Sequence, residues 1–297
     1  MKISVIVGAS EDSFKRLRDT GFTACDFQLG GFFNPKGKYG DIFNVTDEQI
    51  IEEFTKIKGW ADKYGIEVYQ THGSFTGQVS SYESEEHYIR LARADFLATK
   101  VLGCKYCIQH PYIYIERRYD VNLKFSVERA IEIYRQYIPA LEETGVICCL
   151  ENMHHGDLFY RHRCATTMSR AKEMVYICDQ LGKNFAICLD TGHCMCTQDD
   201  PVEAIKIIGH RLVCLHVHDN DGMWDLHTYP YSTQGIPPRY KIPRIDWTAI
   251  MTALKEVGYK GTLNFETGPS CPPALYIASF KYLSAIGRHL VKIYENA

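Results

Sequence analysis

The side chains best equipped for chemistry in this chain sit at the ends of short apolar runs. The stretch Leu212–His227, LVCLHVHDNDGMWDLH, passes from an apolar segment into His216, His218, Asp219, Asp221, Asp225 and His227. Imidazoles and carboxylates brought together are the usual ligands of divalent cations such as Mn2+, Zn2+ or Mg2+. An apolar run that ends this way predicts a buried strand with a site at its tip, with His216 as a ligand and Asp225 and His227 as candidates beside it. Comparable endings recur at His72, His110, Glu151, Asp190 and Glu266. One such residue alone is commonly a cap or an ion-pair member. Matching positions repeated along the chain point instead to a shared site, and Glu151, Asp190, His216 and Glu266 are expected to bind a metal as a set. Two local pairs extend it: Asp190-Thr-Gly-His193 on the turn leaving a strand, and Asp225-Leu-His227 in a loop.

These residues need strands to carry them. Short apolar runs at Ile3–Val7, Ala24–Leu29, Glu67–Gln70, Tyr106–Gln109, Val146–Leu150, Phe185–Leu189, Leu212–Leu215 and Thr262–Phe265 predict strands. Between them, helical spacing predicts helices over Glu11–Thr20, Asp47–Tyr64, Glu85–Leu102, Val127–Thr144, Thr167–Leu181, Pro201–Ile208, Asp246–Val257 and Ala274–Glu295. A loop is expected over Gly30–Asn44, and another over the Pro-rich segment Tyr229–Pro243. Eight strand–helix units with continuous apolar strands require a parallel sheet covered by helices, and favour closure into a (β/α)8 TIM barrel of α/β class. In such a barrel the strand ends carrying the candidate residues converge on one face. No G-x-G-x-x-G or P-loop opens a helix, which argues against nucleotide binding.

Composition agrees with one domain over residues 1–297. The chain is 45% hydrophobic, carries a formal net charge of −3, and has no linker or low-complexity tract. That charge argues against a nucleic-acid partner, although Lys36, Lys38, Arg117, Arg118, Arg161 and Arg163 could form a local basic rim. No apolar run is long enough to span a membrane and no signal peptide precedes the first strand, so a cytoplasmic location is expected. The 12 cysteines fall largely inside apolar runs, as reduced thiols acting as small hydrophobes; Cys104-Lys-Tyr-Cys107 is a lone CxxC without a second pair. Aromatics in or near strand-to-helix loops (Phe27, Phe32, Phe33, Tyr112, Tyr114, Trp224, Tyr229, Tyr231) could stack on a substrate, Phe33 and Trp224 foremost.

With these residues in view, the chain resembles the xylose-isomerase-like TIM barrels, which include sugar isomerases, ketose 3-epimerases, inosose dehydratases and the endonuclease IV class. The resemblance spans essentially the whole chain. It is most specific at Leu150-Glu-Asn152, Leu189-Asp-Thr-Gly-His193, His216-Val-His-Asp-Asn-Asp-Gly222, Asp225-Leu-His227 and Gly258-Tyr-Lys-Gly-Thr-Leu-Asn-Phe-Glu266. It implies a metal site of Glu151, Asp190, His216 and Glu266, taking Mn2+ or Zn2+, with Mg2+ or Co2+ as further options. Glu151 and Glu266 would also be the catalytic acid and base, and His193 a substrate contact or a ligand to a further metal. The resemblance thus implies an isomerase or epimerase of a sugar or polyol. Val217 follows His216 where ketose 3-epimerases often carry Arg, which leaves an inositol derivative or a glycoside open as substrate, and with them a dehydratase or glycoside-cleaving lyase. The nine-ligand pattern of the nucleases also has a candidate at every position: His72, His110, Glu151, Asp190, His193, His216, Asp225, His227 and Glu266. A zinc-dependent apurinic endonuclease is therefore the alternative expectation. A homo-oligomer is left open.

Overall fold

The computed structural model describes residues 1–74, 85–111, 119–156, 163–237 and 241–297, with side chains 119–123 excluded. Tyr112, Tyr114, Arg117, Arg118 and Arg161 lie outside the described residues. The chain begins with strand β1 (Ile3–Val7), helix α1 (Glu11–Thr20), β2 (Ala24–Gln28), the short α2 (Gly30–Phe33), α3 (Asp47–Tyr64) and β3 (Glu67–His72). It continues with α4 (Glu85–Val101), β4 (Tyr106–Gln109), α5 (Tyr119–Arg135), α6 (Ile138–Thr144), β5 (Ile147–Glu151) and a hairpin of β6 (His154–Gly156) and β7 (Arg163–Ala165). The remainder is α7 (Ala171–Leu181), β8 (Phe185–Asp190), α8 (Thr191–Cys196), α9 (Pro201–Ile208), β9 (Leu212–His216), α10 (Trp247–Glu256), β10 (Leu263–Phe265) and α11 (Tyr276–Asn296).

Eight of these strands form one parallel sheet in the order β10-β1-β2-β3-β4-β5-β8-β9. Val217, just past β9, bridges to Phe265 of β10, and its N–H donates to the Asn264 carbonyl at 2.8 Å. That bridge joins the two ends of the sheet and closes the (β/α)8 barrel. The strands form because their residues are buried on both faces, outward against the helices and inward against one another. The helices start where the sequence supplies caps. Thr46 and Gln49 make a reciprocal capping box on α3, and Asp246 accepts from the Ala249 N–H to open α10.

The barrel interior is layered. Ile108, Cys149, Ala186, Cys188 and Cys214 fill one level as a small apolar cluster. The cysteines on the strands are thiols outside any disulfide and act as compact fillers. Asp26, Gln70 and Asn264 form a buried polar group joined by hydrogen bonds, and the strand ends beyond carry the acids and imidazoles.

Several elements depart from expectation. The helix expected over Val127–Thr144 is two, because Pro139 sits in the first turn of α6, where it lacks an N–H and its ring crowds the preceding turn. The expected loop Gly30–Asn44 includes α2 and a 3-10 turn at Ile42–Asn44. Neither the β6–β7 hairpin nor α8 was legible, both being too short to show a period.

Between β5 and β8 the chain detours through the hairpin, and Asn152 ties the two strand ends back together. Its Nδ2 donates to the Asp190 carbonyl at 2.9 Å and its Oδ1 accepts from the Asp190 N–H at 2.7 Å. Replacing Asn152 by Ala strands both buried backbone groups, so Asn152→Ala is expected to cost about 2–4 kcal/mol in denaturant unfolding. A loss below about 1 kcal/mol would show that this clamp does not hold the strand ends.

Candidate metal centre

Four strand ends deliver the central group. Glu151 closes β5, Asp190 closes β8, His216 closes β9, and Glu266 follows β10 directly. One ligand atom from each lies within 4.8 Å of the others, and none of the four residues is more than 8% exposed. His216 Nδ1 is 2.7 Å from Glu151 Oε1 and 3.2 Å from Glu266 Oε2. Its other nitrogen, Nε2, donates to Asp26 Oδ2 at 2.9 Å.

Asp26 was not singled out from the sequence. It lies on β2 within the apolar ACDFQ, and its partner is 190 residues away. The same Asp26 oxygen accepts from Gln70 Nε2 at 2.9 Å and Asn264 Nδ2 at 3.2 Å, which holds it fully buried. A carboxylate that fixes one imidazole nitrogen so that the other faces acidic ligands is the arrangement that orients metal-binding histidines.

Two further groups flank this one. On one side, His110 Nε2 is 3.2 Å from both Glu151 Oε2 and His72 Nε2. On the other, Asp225 Oδ2 is 3.1 Å from His227 Nε2 and 3.5 Å from His193 Nε2. Three of these histidines have Nδ1 committed to a backbone carbonyl, which can only accept. His72 donates to Gly73 at 3.0 Å, His193 to Asn152 at 2.8 Å and His227 to Glu266 at 2.7 Å. Each therefore turns its Nε2 toward carboxylates. His227 holds this pose with a left-handed backbone, φ 45°, which is uncommon outside glycine. All nine candidates of the nuclease-like pattern are thus brought to one face.

His218, left without a role by sequence reading, joins them with Nε2 3.1 Å from Asp190. A Cβ on Gly192 would lie 1.9 Å from the His218 ring, which explains the glycine in Asp190-Thr-Gly-His193. The aromatic candidates divide. Trp224 is 44% exposed beside the cluster, whereas Phe33 is fully buried against Tyr39 and Phe54 and its ring is spent on core packing. Lys38 is paired with Glu53 at 2.6 Å. A cavity of about 880 Å3 lined by Asp199, Pro201, Asp221, Met223 and Arg244 lies beside the cluster, and none of the candidate ligands lines it.

Burial works against every charge here, and the neighbours decide the outcome. Burial pushes the Glu151 carboxyl up, yet His216 and His110 hold it well below the usual range. Asp190 is held down against burial by His193 and His218, and Asp225 by His154, His193 and His227. Conversely, burial lowers the imidazoles, yet Asp190 and Asp225 hold His193 well above its ordinary value. Asp225 and Glu266 push His227 up to about 9 despite its burial. His193, His216 and His227, all raised, are therefore the imidazoles that carry positive charge for the acids, whereas burial holds His110 and His154 below their ordinary value. A divalent cation fits the same need, because Glu151 Oε2, Asp225 Oδ1 and Glu266 Oε2 are buried acceptors without a hydrogen bond. The mixed oxygen and nitrogen donor set suits Zn2+ or Mn2+.

The model of the xylose isomerase-like TIM-barrel family matches residues 14–286. A crystal structure of a D-tagatose 3-epimerase-like protein superposes with a TM-score of 0.72 at 16% identity, covering 100% of this chain and 99% of that one. The 3-keto-D-glucoside 4-epimerase of E. coli gives 0.66 at 14% identity, covering 96% of this chain and 100% of that one. At this identity the likeness shows the fold. An uncharacterized protein of Sinorhizobium fredii is 33% identical over 81 residues, 27% of this chain and 23% of that protein. One of Methanocaldococcus jannaschii is 26% identical over 168 residues, 56% and 51% respectively. The chain thus matches about half or less of the length of these curated relatives.

Two outcomes follow from this geometry. Asp26→Asn keeps an acceptor for His216 but removes the charge behind it, so divalent-ion affinity measured by calorimetry is expected to fall about tenfold. Unchanged affinity would remove Asp26 from the site. Histidines with raised values are protonated below them and must release a proton to ligate. Apparent metal affinity is therefore expected to rise from pH 6 toward pH 9, by about tenfold per unit for each proton released. A flat profile would contradict the charge assignment.

Proposed function

The chain belongs to the xylose isomerase-like TIM-barrel family, and from that premise we propose that it is a divalent-metal-dependent isomerase or epimerase of a sugar or related polyol. The observation that carries the reading is the approach of two carboxylates from different strands, Glu151 and Glu266, to one imidazole nitrogen of His216. Glu266 is 8% exposed, while Glu151 is fully buried. In this reading one of the two carboxylates takes a proton from the carbon beside a substrate carbonyl and the other returns one, as general base and acid. A bound divalent ion would supply polarisation of that carbonyl. Glu151, Asp190, His216 and Glu266 would hold it, with Asp26 orienting His216. His193 and Trp224 remain the residues proposed to meet the substrate. Structural neighbours named as sugar epimerases support the substrate class. Val217 is buried in the bridge to Phe265 and presents no charge to a substrate, so the reading stays at the level of sugars and polyols.

A second reading, a zinc-dependent apurinic endonuclease, is favoured by one specific observation: the groups His72–His110–Glu151 and His193–Asp225–His227 flank the central one. The net charge of −3 weighs against a DNA substrate.

Glu151→Gln and Glu266→Gln are each expected to lower turnover about 10²–10⁴-fold, with the circular dichroism of the folded chain retained. The assay is a panel of ketoses, inosose and glycosides run beside an abasic-site duplex. Full activity in either variant on a turned-over sugar would defeat the acid–base assignment. Nicking of the duplex without any sugar turnover would put the second reading first.

A further inference from the structure

Beside Asp225 lies an imidazole that neither functional reading uses. His154 opens the β6–β7 hairpin, is 7% exposed, and has neither ring nitrogen in a hydrogen bond. It packs edge-on against His193, with ring centroids 4.7 Å apart, which accounts for its place but not for its idle nitrogens. A buried imidazole whose one polar contact is an unaligned approach to Asp225 costs free energy unless something fills the gap. Its Nε2 lies 3.3 Å from Asp225 Oδ2, outside hydrogen-bond geometry. Cys196, the last residue of α8, supplies a third donor: its Sγ and one atom each of His154 and Asp225 lie within 4.8 Å of one another. The hydrogen bond given to that sulfur is a weak one, from Asn220 Nδ2 at 3.5 Å.

We infer that His154, Cys196 and Asp225 form a further metal site suited to zinc, one that pins the β6–β7 hairpin to the barrel mouth. The donors come from three separate segments on the ligand-bearing face, following β5, β8 and β9. An imidazole, a thiolate and a carboxylate make a borderline-soft set, and three protein ligands with water in the fourth position is the coordination of open zinc sites. In a tetrahedron with bonds of about 2.0 Å, neighbouring ligand atoms are about 3.3 Å apart, which the His154–Asp225 separation matches. Asp225 is shared with His193 and His227, so the site adjoins that group through one carboxylate. Its existence does not depend on which reaction the barrel performs. The thiol proton leaves when the metal binds, and the site gains its negative charge from that loss.

The test is cobalt(II) uptake by the metal-stripped full-length chain, read in the near ultraviolet, where a thiolate ligand gives an intense charge-transfer band and oxygen or imidazole ligands do not. The parent protein is expected to develop the band. Cys196→Ser should abolish it and bind one metal equivalent fewer by elemental analysis, with its helical circular dichroism unchanged. His154→Ala, on a different element, should raise the cobalt needed for half-development at least about tenfold. It decides the matter should Cys196→Ser not fold. No band in the parent, a band that survives Cys196→Ser, or an unchanged midpoint in His154→Ala would overturn the site.

Discussion

The structure turns on the neutralisation of carboxylates that are out of reach of water. Asp26, Glu151 and Asp190 are fully buried, Glu266 nearly so, and Asp225 joins them at the mouth. Like charges this close and this dry cannot coexist without positive charge among them. The chain supplies imidazoles and, among the described residues, brings no Lys or Arg into contact with these five acids. Imidazoles are the one choice that can serve either as cations or as neutral ligands, so the same array can hold protons or a divalent ion.

That constraint explains features far from the acids themselves. Small cysteines and Ala186 fill part of the barrel interior as an apolar cluster. Gln70 and Asn264 hydrogen-bond Asp26, which in turn aims His216. Asn152 holds β5 and β8 in register after the hairpin, and its own carbonyl orients His193. Gly192 is required because the His218 ring occupies the space a side chain would take. The left-handed backbone at His227 is likewise held in place, by Nδ1 to Glu266 and by the Thr267 hydroxyl donating to its carbonyl at 2.5 Å.

Much of this is legible in the sequence, for a physical reason. A closed parallel barrel demands continuous apolar strands, and polar residues that end them stand out against that background. The strands Ile3–Val7 and Tyr106–Gln109 and the helices Glu11–Thr20 and Asp47–Tyr64 have the bounds expected from pattern alone. The residues that sequence reading missed act through partners distant along the chain. Asp26 resembles a stray polar residue in a strand until His216 is folded against it. His154 and Cys196 lie in a hairpin and a helix too short to show a period, and His218 is masked by the more regular ligands around it. Phe33 misleads in the opposite sense: a loop aromatic reads as a sugar platform, but here it completes a cluster with Phe32 and Phe54.

Metal content tests the central claim most directly. Protein purified without added metal or chelator and examined by inductively coupled plasma mass spectrometry is expected to carry at least one divalent ion per chain. Asp190→Asn, which removes a ligand charge without touching the acid–base pair, should lose that ion. A metal-free protein with full turnover would contradict the account, because the acids would then be shown to need only the imidazoles beside them.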